Sequence, residues 1–126
     1  IPDIQITLQL VENASTVLSS IGEPIEMAKR RNLSEEVIDY LIEKNVVAEA
    51  FGEFINEKGE VIYKLSNIGL QFDKLTQVPH VIIVAGGTKK AQAIAAHMKK
   101  APSHACLITD EAAAKTILNG KKPVKK

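Results

Sequence analysis

Five apolar residues, Val81-Ile82-Ile83-Val84-Ala85, run without a break into Gly86-Gly87-Thr88 and then into an alanine-rich stretch, Lys89 to Lys100. The stretch places Ala91, Ile94, Ala95 and Met98 on one helical face. A strand this uniformly apolar is expected to be buried on both faces, as in a parallel sheet. A strand that passes through two glycines straight into a helix then restricts the chain to a layered α/β architecture.

The rest of the chain is read around that unit. A helix is expected from Ile4 to Ala14, then a short buried strand, Thr16 to Ile21, closed by Gly22. Pro24 suits the first position of a second helix, which runs to Arg30 or Arg31. Ser34 is the N-cap of a third, with Glu35 and Glu36 in its first turn and Val37, Ile38, Leu41 and Ile42 as its apolar stripe. Val46 to Ile55 reads as one strand with Gly52 as a bulge, and the turn Asn56-Glu57-Lys58-Gly59 leads to a return strand, Val61 to Leu65. Residues 66–79 form a connector. After the glycine unit come a buried strand, Ala105 to Thr109, and a last helix, Asp110 to Leu118, stopped by Asn119-Gly120. The expected order is α-β-α-α-β-β-β-α-β-α, a Rossmann-like layered parallel sheet with an inserted β-hairpin. Three core strands leave apolar edges, so the chain reads as part of a larger domain, with further strands ahead of Ile1.

Composition narrows the function classes. With 126 residues, 45% apolar and 25% charged, the chain is one domain or part of one, and neither disordered nor a disulfide scaffold. The longest apolar run is far short of the roughly 20 residues of a membrane span. The opening Ile1-Pro2-Asp3 has no signal-peptide pattern and no initiator Met, so a trimmed or excised segment is expected. A lone cysteine, Cys106, fits a reducing, cytoplasmic setting and is expected to be a buried thiol. Net charge is +1, but Lys121, Lys122, Lys125 and Lys126 sit in the last six residues. Without them, twelve Lys and Arg face fifteen Asp and Glu, a net charge of −3. The body is mildly acidic and the tail basic and solvated. No basic face with interleaved aromatics supports nucleic-acid binding by this chain itself.

Chemistry is expected at the strand ends that open into helices. Gly86-Gly87 lets the backbone approach a ligand, the helix start attracts anions, and Lys90 in the first turn adds a charge. The same residues also describe an ordinary tight turn with an exposed lysine. The pattern is neither a P-loop nor a dinucleotide fingerprint. Ser20-Ile21-Gly22-Glu23-Pro24 is a second strand end, and both loops should open on the carboxyl edge of the sheet. Arg30 and Arg31 are solvated cations at a helix end unless a ligand recruits them. Glu49, inside Val46-Val47-Ala48-Glu49-Ala50-Phe51, either turns outward or is directed at a polar ligand. Asp110-Glu111 is explained by helix capping. His80, His97 and His104 lack metal-ligand spacing.

Taken together, Ile21-Gly22, Val46 to Gly52, Val84-Ala85-Gly86-Gly87-x-x-Lys90-Ala91-x-Ala93-Ile94 and Leu107-Ile108-Thr109-Asp110-Glu111-x-Ala113-Ala114 come in the order seen in the SorC family of bacterial transcriptional regulators. The resemblance runs from about Ser15 to Gly120. It implies that residues 1–120 are the C-terminal portion of an effector-binding domain similar to the sugar-phosphate isomerase and deaminase fold, with residues 121–126 a basic, disordered tail. It further implies a repressor of glycolytic or sugar-utilisation genes, with a phosphorylated sugar such as fructose 1,6-bisphosphate as effector. By position, Arg30 and Lys90 would meet phosphate oxygens, Glu49 would accept from sugar hydroxyls, and Gly22, Gly86 and Gly87 would shape the loops. No catalytic residue, metal or cofactor is implied. Operator DNA would be met only by a helix-turn-helix domain outside this sequence, in a dimeric or tetrameric homo-oligomer. Ser20 and Glu23-Pro24 depart from the family's first loop, whose exact shape the resemblance therefore does not fix. The competing readings are an isomerase- or deaminase-like enzyme, for which Glu49 is the one candidate base, and an interaction domain with a vestigial pocket.

Overall fold

A computed structural model describes residues 2–66 and 69–120. The expectation of a disordered tail at 121–126 lies outside them. The elements are α1 (Pro2–Glu12), β1 (Thr16–Ser19), α2 (Pro24–Arg30), α3 (Glu35–Glu43), β2 (Val46–Ala50), β3 (Glu53–Asn56), β4 (Val61–Lys64), β5 (His80–Val84), α4 (Ala91–Lys100), β6 (Cys106–Ile108) and α5 (Glu111–Leu118). Two 3₁₀ turns, Phe72–Gln77 and Thr88–Lys90, precede β5 and α4.

β5 lies between β1 and β6, all parallel, with Leu18 opposite Ile82 and Val84 opposite Ile108. β2, β3 and β4 form a separate antiparallel sheet. The fold class is therefore the α/β arrangement expected, with one correction. Val46 to Ile55 is not a bulged strand but two strands joined at Phe51-Gly52, so the insertion is a three-stranded meander. Phe51 and Gly52 have φ of 55° and 76°, the pair of positive values that a type I′ hairpin turn requires. A phenylalanine is a poor residue for that conformation. Its ring is held edge-on against Phe72 at 5.7 Å, so tertiary packing supports the turn.

Local signals set most boundaries. The Ser34 hydroxyl accepts from the Val37 N–H and starts α3, and Pro24 opens α2. Asn56 caps its own turn, its side-chain oxygen accepting from the N–H groups of Lys58 and Glu60. The expected connector at 66–79 carries the Phe72–Gln77 turn, which sends Phe72 and Leu75 into the core. There they meet Ile21, Ile55, Val81, Ile83 and Ile94. A smaller cluster, Ala28, Leu41 and Phe54, ties α2 and α3 to the meander.

Burial on both faces of the parallel strands is not observed. Val81 and Ile83 point into the core, while Leu18 is 71% exposed, Val84 43% and Ile108 53%. These side chains share one face, and Cys106 lies exposed with them, not buried as expected. An apolar run says that a strand is compatible with two covered faces; it cannot say which face is covered. Helix α1 likewise buries no side chain. Among the described residues no helix is long and apolar enough to cross a membrane.

Candidate functional site

The two loops at the carboxyl ends of β1 and β5 frame the site. After β5 the chain keeps pairing for one residue, the Ala85 N–H donating to the Ile108 carbonyl at 3.1 Å. It then turns through Gly86 and Gly87, the latter at φ 94°. Asp110 fixes this turn. One carboxylate oxygen accepts from the Gly87 N–H, and the other accepts from the Ala113 N–H at 2.7 Å, capping α5. Glycine is required at 86 because a Cβ there would collide with Asp110 Oδ2. Asp110 and Glu111, which is paired with Lys115 at 2.7 Å, are thus capping and surface groups, as the sequence indicated.

The helix after the glycines begins two residues later than expected. Thr88–Lys90 forms a 3₁₀ turn closed by the Lys90 N–H on the Gly87 carbonyl, and α4 starts at Ala91 without any side-chain cap. The contrast with α2 is informative. There, Glu23 places its own carboxylate on the N–H groups of Ile25 and Glu26, at 3.2 and 2.7 Å. The start of α2 has its anion built in; the start of α4 does not.

Between them is a cleft of about 200 Å³ lined by Glu23, Pro24, Val46, Val47, Lys89, Lys90, Gln92 and Ala93. Lys89 and Lys90 stand at the uncapped helix start, so the cleft can hold an anion against two cations. A larger cleft, about 450 Å³, lies between α1 and the segment from Gly69 to Val78, at the amino-terminal edge of the parallel strands. Among its lining residues it offers one cation, Lys74, together with the Glu12 carboxylate. The smaller cleft is the better candidate on chemistry.

Glu49 neighbours the cleft without lining it. Its backbone pairs with that of Gly22 in both directions, at 2.8 and 3.1 Å, so it fixes the start of the loop that carries Glu23 and Pro24. Its side chain is neither turned outward nor free. It is buried, 3% exposed, with one oxygen 3.3 Å from the Arg31 guanidinium and the other accepting from the Gly52 N–H at 3.0 Å. Arg30 lies apart from these groups. It is 69% exposed and pairs with Glu26 one helical turn back, at 2.8 Å. The structure thus places Lys90 on one wall of the cleft, with the Gly86-Gly87 turn preceding it in the chain but outside the lining, and Gly22 beside the other wall, with Glu49 behind Gly22 and Arg30 on the outer surface of α2.

Arg31 is the residue that sequence reasoning left unassigned. A signal existed in helical phase. Met27 packs against Gly22, and Arg31 follows it by four residues, on the same face. Of the histidines, His104 Nε2 meets the Val78 carbonyl at 2.7 Å. His97 is fully buried against Phe72 with neither ring nitrogen hydrogen-bonded. Among the described residues no group of three potential metal ligands occurs.

Comparison with known proteins bears on this geometry. The family model described as "Putative sugar-binding domain" matches residues 2–119. The central glycolytic genes regulator of Bacillus subtilis (strain 168) is 41% identical over 117 residues, 93% of this chain and 34% of the regulator. The counterpart regulator of Priestia megaterium is 40% identical over the same shares. The crystal structure of the "putative SorC family transcriptional regulator" from Enterococcus faecalis superposes with a TM-score of 0.90 at 49% identity, covering 94% of this chain and 48% of that one. The full-length sorbitol operon regulator SorC from Klebsiella pneumoniae shares the fold, with a TM-score of 0.77 at 20% identity over 94% and 39% of the two chains. The chain spans about a third of the length of the curated relatives it matches.

Proposed function

The chain belongs to the sugar-binding domain family of SorC-type transcriptional regulators, and from that premise we propose that it is the sugar-phosphate-sensing part of a bacterial repressor. The observation that carries the reading is the cleft that sets Lys89 and Lys90, at an uncapped helix start, against the loop after Gly22. An acidic body would repel a sugar phosphate; a two-lysine pocket at a helix start is the local exception that admits one. The ligand proposed is a phosphorylated sugar such as fructose 1,6-bisphosphate. One phosphate sits on Lys90 and the Gly86-Gly87 turn. Arg30 is assigned to the other phosphate by family position, and its exposed pair with Glu26 costs under about 1 kcal/mol to give up. Glu49 is assigned to sugar hydroxyls by family position, and reaching them from behind Gly22 requires the loop after Gly22 to shift. Ligand binding then alters operator recognition by a separate helix-turn-helix domain of a cytoplasmic dimer or tetramer.

The same geometry weighs against an enzyme. A general base needs an oxygen within reach of the substrate proton and free to take it. Glu49, the one candidate, has its oxygens engaged by Arg31 and Gly52, and the matched relatives are regulators by name. The test is calorimetry of fructose 1,6-bisphosphate on the full-length protein. Lys90→Ala should weaken binding by about 1.5–3 kcal/mol through loss of a charge-assisted contact, and Lys89→Ala by less. Equal affinities for wild type and Lys90→Ala would refute the assignment.

A further inference from the structure

We propose that Arg31 is a positioning residue for the sugar-phosphate site, acting through Glu49 on the loop that walls the cleft; the inference rests on the binding function proposed above. Arg31 does not line the cleft. Its guanidinium, at the end of α2, reaches across to β2 and meets Glu49 Oε1 at 3.3 Å, while the Gly52 N–H holds Oε2 at 3.0 Å. Both oxygens of a buried carboxylate are therefore pinned, one by the meander turn and one by α2.

That carboxylate lies flush against Gly22. A Cβ placed on Gly22 would sit 3.4 Å from Glu49 Oε1 and 2.7 Å from Met27 Cγ. The Glu49 backbone exchanges two hydrogen bonds with Gly22, and Glu23 and Pro24, the next two residues, form the wall facing Lys89 and Lys90. Any shift of Glu49 is passed to that wall through Gly22.

Removing Arg31 would leave a buried carboxylate without its countercharge, which such a group resolves by taking up a proton or by moving toward water. Either response disturbs the pairing with Gly22. Arg31 also offsets a negative charge close to a site built for phosphate, where Glu23 already supplies one. A lysine would restore the charge but not the planar fork, so Arg31→Lys should recover part of the function.

The experiment measures fructose 1,6-bisphosphate affinity and melting temperature for the full-length protein and its Arg31→Met, Arg31→Lys, Glu49→Gln and Arg31→Met/Glu49→Gln variants, with Lys90→Ala alongside. Arg31→Met should bind about tenfold more weakly, Arg31→Lys should fall between it and wild type, and the double variant should bind no worse than Glu49→Gln alone, because residues acting as one unit are not additive. Wild-type affinity in a folded Arg31→Met would overturn the inference, as would full additivity with Glu49→Gln. If Arg31→Met does not fold, an unchanged affinity in Arg31→Lys overturns it equally. If instead wild type binds no sugar phosphate and Lys90→Ala changes nothing, the binding function itself has failed; weakened Lys90→Ala with unaffected Arg31 variants isolates the failure to Arg31.

Discussion

Lowering the pH from about 6.5 to about 4 should cost the protein roughly 3 kcal/mol of stability through His97 alone. His97 lies on α4 with no exposed surface, its ring 4.7 Å from that of Phe72 and both nitrogens without hydrogen bonds. Burial, and then the nearby Lys100 charge, lower its pKa from 6.5 to about 4. Lys100 is kept there by Glu53, a buried carboxylate 3.9 Å away that also meets Lys64 at 3.6 Å, and by the face of Phe72. The folded state therefore holds His97 neutral where the unfolded chain would protonate it. Between about pH 4 and 6.5 the unfolded state binds the extra proton, so stability rises with pH across that window and is complete above it. His97→Leu should flatten the dependence while changing neutral-pH stability by about 1 kcal/mol or less, since the lost ring contact is offset by removal of two unpartnered nitrogens. Urea unfolding at pH 4, 5, 6 and 7 reads the difference. Parallel slopes for wild type and variant would show that His97 does not carry the effect.

Gly86→Ala should damage both stability and binding, because a single added methyl group must displace Asp110. Its Cβ meets the Asp110 carboxylate, which caps α5 and holds the Gly87 N–H. Loss of the cap costs about 1–2 kcal/mol. The Gly87 N–H already donates to Asp110, so the turn serves the phosphate by placing Lys90, and displacing it removes that charge-assisted contact, about ten- to a hundredfold in affinity. The mechanism has a distinctive signature. In an Asp110→Ala background the obstacle is gone, so Gly86→Ala should add little further destabilisation. Thermal unfolding of the two single variants and the double variant measures this, and a fully additive double variant would place the clash elsewhere.

What was legible in the sequence was what neighbouring residues decide. Pro24, Ser34 and Asp110 announce helix starts because their effects act within one turn. The run into Gly86-Gly87 locates both the central strand β5 and the loop with the uncapped helix after it. What escaped depended on partners distant in sequence. The Phe51-Gly52 turn lacks the Asn-Gly or Asp-Gly signal and stands on contact with Phe72. The exposure of Cys106 depends on which face of the parallel sheet is covered. The difference between Arg30 and Arg31 is about 100° of helix rotation: one faces solvent and the other Glu49. Glu49 posed the same difficulty, since outward and ligand-directed carboxylates were both compatible with its neighbours. The observed internal pairing needed an arginine eighteen residues away.

Whether a sugar phosphate binds between Lys90 and the loop after Gly22 is decided by a crystal structure of the full-length protein grown with fructose 1,6-bisphosphate. One phosphate is expected in hydrogen-bond contact with the Lys90 ammonium and beside the Gly86-Gly87 turn, with Glu23 and Pro24 on the facing wall. A well-occupied fructose 1,6-bisphosphate elsewhere in the protein, with this cleft empty in the same crystal, would contradict it.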